Sequence, residues 1–109
     1  MGVRLRLWKG NLMYVVVTTV EVEPESIDRL AALFDSTNRE LVATHDDWMA
    51  AYFTANRSTN VVTVIAHWRD AASYEVLRAS AEFQSTMAKF AESFVGPLRV
   101  SVNEVLVEM

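Results

Sequence analysis

The chain has no cysteine, only three glycines and two prolines, and ten Lys and Arg residues against fourteen Asp and Glu in 109 residues. Each shortage removes a class of protein. Without cysteine there are no disulfides, thiolate nucleophiles, iron–sulfur clusters or Cys-ligated zinc, and a reducing, cytoplasmic setting is expected. Scarce glycine and proline, beside 51% hydrophobic and 22% charged residues, argue against disordered, linker-rich and collagen-like chains. A net charge of -4 with no basic stripe speaks against nucleic acid as a partner. No window approaches the roughly 18 consecutive apolar residues of a membrane span, so no membrane partner is expected. A glycine-rich phosphate cradle, the His-Glu-x-x-His zinc pattern and a serine nucleophile elbow are missing too, and neither cofactor nor metal is expected.

What is present has the length of one domain. Residues 1–12 alternate Val3, Leu5 and Leu7 with Arg4 and Arg6 and lack the apolar core of a signal peptide. They read as an extension before a domain covering 13–109. Tyr14 to Val22 is dense in β-branched residues, as a strand covered on both faces requires. Pro24 suits the first turn of a helix, and Ile27, Leu30, Ala31, Phe34 and Leu41 then make one apolar stripe, with fraying expected between Leu41 and Thr44. Trp48 to Thr54 and Val61 to Trp68 read as strands joined by the polar loop 55–60. Asp70 is placed to cap a helix from Ala71. Ser80 is placed to cap a second segment striped by Phe83, Met87, Phe90 and Phe94. Gly96-Pro97 is expected to end that helix, and the last strand, from Leu98, changes parity after Val102, which predicts a β-bulge at Asn103-Glu104.

The order is βαββαβ, an α+β arrangement with helices on one face of a four-stranded antiparallel sheet. Both parities of the strands are apolar, so the uncovered face is expected to pack against a second copy, sheet to sheet.

Within that order, Ala66-His67-Trp68-Arg69-Asp70-Ala71-Ala72-Ser73-Tyr74, followed by Ser80-Ala81-Glu82-Phe83, resembles the antibiotic-biosynthesis monooxygenase family of dimeric ferredoxin-like proteins. The resemblance runs over about residues 13–107 by element order and over 61–83 by motif. It implies a homodimer, a pocket between sheet and helices, and, in its oxygenase branches, cofactor-independent reaction of phenolic, quinol or anthrone-like aromatics with dioxygen. In the anthrone-oxygenase branch a strand-end Trp and a helix-start Tyr line the pocket, and these match Trp68 and Tyr74. That branch carries an Asn four positions before the Trp, where this chain has Val64 and so lacks the amide that would hold an oxygen atom. The haem-degrading branch needs a histidine on the second helix, and Ala71 to Val95 contains none.

The residues themselves set the remaining expectations. Trp68 shares strand parity with Val64 and serves equally as core aromatic or pocket wall. His67 has the near-neutral pKa of a general base but no adjacent acid to orient it. Trp68, Tyr74 and His67 are therefore the catalytic candidates, and Tyr52, Val64, Arg78, Phe83 and Met87 the pocket candidates. Arg78 lies one helical turn after Tyr74, where its guanidinium could polarise a phenolic oxygen or simply cover the ring. His45, beside Asp46 and Asp47, reads as part of a solvated turn. Two other functions stay open: a non-catalytic dimeric ligand-binding or structural protein, and a polyketide cyclase or isomerase.

Overall fold

The computed structural model describes residues 13–109, so the expected extension 1–12 lies outside the described residues. The elements are β1 (Tyr14–Glu21), α1 (Ile27–Thr37), β2 (Trp48–Asn56), β3 (Val61–Trp68), α2 (Ala71–Ala79), α3 (Ala81–Ala91) and β4 (Arg99–Glu104). The strands form one antiparallel sheet in the order β2-β3-β1-β4. This is the ferredoxin-like α+β fold, with its second helix in two pieces.

Strand alternation decides what faces the helices. Val16 and Val20 of β1 are buried on the helix side, as are Val62 and Trp68 of β3. Val15, Val17 and Ile65 are half-buried on the other face. The core falls into two clusters. One gathers Val20, Val22, Ile27, Leu30 and Val62, and the other Val16, Trp68, Tyr74 and Leu77. Between them on β1 stands Thr18, half-buried, and there the core is interrupted.

The helix ends follow from local chemistry. Asp70 accepts a hydrogen bond from the Ala72 N–H at 2.9 Å and starts α2. Ser80 is extended, with φ -71° and ψ 149°, which breaks the helix, and its hydroxyl accepts from the Phe83 N–H at 3.2 Å to start α3. Asn60, at φ 62°, occupies the left-handed region in the β2–β3 turn. The Asn56 carboxamide oxygen accepts from the Ser58 and Thr59 N–H groups there.

The first helix ends between Leu41 and Thr44 as expected, through a π-helical turn at Asn38–Val42 that lets Leu41 and Val42 both pack on the Trp68 cluster. Two expectations need correction. Gly96 does not end α3, which stops at Ala91. Beyond it the chain pairs with the end of β1, with Glu23 N–H donating to the Ser93 carbonyl at 3.0 Å and Val95 N–H to that of Glu21 at 2.9 Å. β4 carries no bulge: it pairs with β1 in unbroken register and ends at Glu104, after which Val105 N–H donates to the Met13 carbonyl. The parity change at Asn103-Glu104 marks the end of the strand. The sheet's irregularity lies in β2 instead, between Trp48 and Ala50.

Candidate active site

The interrupted core encloses a cavity of about 400 Å³ between sheet and helices. Thr18, Val64, Ala66 and Trp68 are among its floor residues; α1 and its π-helical turn contribute Phe34 and Asn38, α2 contributes Tyr74 and Arg78, and α3 contributes Phe83 and Met87. Val100 of β4 belongs to the same lining yet is 45% exposed, so the cavity opens on the β4 flank.

One corner of this chamber is fixed with particular care. The turn before β2 is pinned to the β3–α2 junction: Arg69 N–H donates to the Asp47 carbonyl at 2.7 Å, the Arg69 guanidinium to that of Asp46 at 3.0 Å, and the Ser73 hydroxyl to the Asp47 carboxylate. These bonds hold His45 against Trp68, edge to face, with ring centroids 6.0 Å apart. Trp68 in turn lies 6.0 Å from the ring of Tyr74. Trp48 joins the same cluster through the β2 bulge. Ala50 is opposite His67 and Trp48 is opposite Trp68, so the extra residue, Met49, turns Trp48 to the helix side of the sheet. The indole N–H groups of Trp48 and Trp68 are both buried without a hydrogen-bond partner among the described residues.

The polar groups set the electrostatics. Burial pushes the Tyr74 hydroxyl up from its ordinary pKa of 10.0; nearby Arg78 opposes this and Glu75 adds to it. Tyr74 is therefore a neutral phenol at physiological pH, a donor and not a base. Arg78, whose side chain is exposed, hydrogen-bonds to Glu75 at 2.6 and 3.1 Å, which holds its pKa above the ordinary guanidinium value and keeps it a permanent cation at the cavity wall. No carboxylate or imidazole is among the described residues lining the cavity.

The structure thus brings Trp68, Tyr74, Val64, Arg78, Phe83 and Met87 around one space. It does not bring His67 or Tyr52 there. His67 is opposite in parity to Trp68, and Tyr52 pairs with Ile65, so both stand on the other face of the sheet with their rings 6.0 Å apart. That separation removes His67 as a base for anything bound in the cavity. His45 and Trp48 went unseen in the sequence as neighbours of Trp68, because the first depends on a folded turn and the second on a bulge. Among the described residues no cluster of three His, Cys, Asp or Glu could hold a metal, and no helix is long and apolar enough to cross a membrane.

Solved structures share this architecture. A conserved protein of Methanosarcina mazei is similar with a TM-score of 0.74 and 17% identity, over 87% of this chain and 94% of its own. A Mycobacterium tuberculosis protein gives 0.72 and 19%, over 88% and 97%. A Caulobacter crescentus protein described provisionally as an antibiotic biosynthesis monooxygenase gives 0.76 and 14%, over 88% and 92%. At such identities the likeness is one of fold. No curated protein matches the sequence. The sequence pattern of the antibiotic biosynthesis monooxygenase family, however, matches residues 13–89, from β1 through most of α3, and so spans both walls of the cavity. On that match the chain belongs to the antibiotic biosynthesis monooxygenase family.

Proposed function

We propose that this protein is a cofactor-independent monooxygenase acting on a phenolic, quinol or anthrone-like aromatic, with Trp68 and Tyr74 as the residues that meet the substrate and Arg78 beside them. The observation that carries the reading is a large apolar cavity with one permanent cation and one neutral phenol in its wall. A planar aromatic fits such a space, and its oxygen would be drawn to the polar edge.

The chemistry asks little more of the protein. An electron-rich anion transfers one electron to dioxygen, the resulting radical pair collapses to a carbon–oxygen bond, and the peroxide anion takes a proton back from solvent before the hydroperoxide loses water. For an anthrone-like substrate, one ring methylene and one dioxygen give one ring carbonyl and one water. The methylene carbon is oxidised, dioxygen is reduced, and one oxygen atom enters each product. The Tyr74 hydroxyl, with Arg78 at the exposed edge of the cavity, would stabilise the substrate oxyanion, which lowers the substrate's own pKa. With no base in the lining, the proton leaves to solvent at the open β4 flank. The rate should then rise with pH along the ionisation of the substrate, with no inflection near the ordinary imidazole pKa of about 6.5. Arg78→Gln should move that profile to higher pH.

The test is dioxygen uptake by purified protein without added metal or flavin, with reduced quinols and anthrones, beside Trp68→Phe and Tyr74→Phe. Uptake above autoxidation, lost in folded variants, supports the oxygenase. No uptake with any substrate rejects it in favour of ligand binding or cyclase chemistry.

A further inference from the structure

A cavity wall that lacks an amide at Val64 has other polar groups within it, namely Thr18, Thr37, Asn38, Gln84 and Thr86 besides Tyr74 and Arg78, and two of them stand out. Thr18 lies directly across from Val64 in the β1–β3 register, on the same face, so the two Cβ atoms are about 4.5–5.5 Å apart. Asn38 opens the π-helical turn after α1 and lines the same cavity from the helix layer. Neither side chain makes a hydrogen bond to another described residue, and both are half-buried. The rest of the surrounding wall is largely apolar, with Phe34, Phe53, Val64 and Met87 close in the lining. An unpaired carboxamide and hydroxyl facing such a wall are free to hydrogen-bond a ligand that displaces solvent from the cavity. The π turn bears on Asn38 as well, because an inserted turn re-aims the side chains that begin it, at some cost in helix regularity.

We propose that Asn38 and Thr18 form a second polar station of the cavity, which orients the ligand by hydrogen-bonding an oxygen distinct from the one held at Tyr74 and Arg78. The ligand is then an aromatic bearing oxygens at two separated positions. This rests on the reading of the cavity as an aromatic-binding site, and the roles divide cleanly. Tyr74 and Arg78 meet the oxygen whose charge develops; Asn38 and Thr18 decide which ring edge lies against Trp68.

The experiment is equilibrium dialysis of the protein against 1,4-naphthoquinone and against naphthalene, the same ring without oxygens. Wild type is compared with Asn38→Leu and Thr18→Val, with thermal melting as a check on folding. Each variant should bind 1,4-naphthoquinone about three- to tenfold more weakly, as loss of one neutral hydrogen bond implies, and naphthalene as well as wild type does. Thr18→Val keeps the side-chain shape, so it carries the test should Asn38→Leu disturb the π turn. Unchanged quinone affinity in folded variants overturns the proposal while leaving the cavity reading intact. Equal weakening for both probes overturns it as well, since that is a packing effect. Failure of wild type to bind either probe brings down the aromatic-site reading and this proposal with it.

Discussion

Trp68 shows how one residue serves both packing and site. It is 1% exposed and makes the floor of the cavity at the corner where His45, Trp48 and Tyr74 converge. Its indole N–H bonds to no described residue, so Trp68→Phe removes volume and a donor but breaks no internal hydrogen bond. Trp68→Ala should cost about 3–5 kcal/mol in chemical denaturation, the range for deleting a large buried aromatic. Tyr74→Phe is the cleaner probe of chemistry, and should slow oxygenation by about a hundredfold if the phenol donates to the developing oxyanion. It also has a signature independent of activity. Because the folded pKa lies above 10.0, the fold loses stability as pH rises past the unfolded value, where the unfolded chain's tyrosine ionises first. Melting temperature should fall above pH 10 less steeply in Tyr74→Phe than in wild type. His67→Gln, on the far face, should leave turnover unchanged. The parity of Val62, Val64, Ala66 and Trp68 was legible in the sequence, whereas which face meets the helices was not, because both parities of the strands are apolar. The place of Tyr52 was not, because it depends on the β2–β3 register, and no local pattern reports that register.

At the scale of elements, the caps were legible because capping is local chemistry. Asp70 and Ser80 accept from N–H groups two and three residues on, and a sequence displays that spacing. Asp70→Ala or Ser80→Ala should each cost about 1 kcal/mol in urea denaturation. The β2–β3 turn offers a sharper case. Asn60 is left-handed, so Asn60→Gly should be tolerated, whereas Asn60→Val should destabilise by about 1–2 kcal/mol. The bulge at Met49, the π turn at Asn38–Val42 and the early end of α3 were not legible, since each answers a tertiary demand. The bulge puts Trp48 beside Trp68, the π turn packs Leu41 with Val42, and the chain after Ala91 leaves its helix to pair with β1.

In the whole molecule, an open chamber lies on one side of the sheet and a half-buried apolar surface on the other. Val15, Val17 and Ile65 form the middle of that second face, with Tyr52 56% exposed beside them. A second copy packed sheet to sheet would cover it, and Ile65→Arg should then convert a dimer to monomer in sedimentation velocity while the cavity residues stay in place. The family and fold show in element order and in the Trp68 to Tyr74 motif. The chemistry is written more faintly, in a cation, a phenol and an unpaired carboxamide around an apolar space. An oxygenase is distinguished from a binding protein or a cyclase by whether dioxygen enters the product. Reaction of an anthrone under 18O-labelled dioxygen in ordinary water, followed by mass spectrometry, should give a quinone carrying one labelled oxygen atom, at a yield above the enzyme-free background. A product without the label, formed at an enzyme-dependent rate, would contradict the account and assign the cavity to a reaction other than oxygenation.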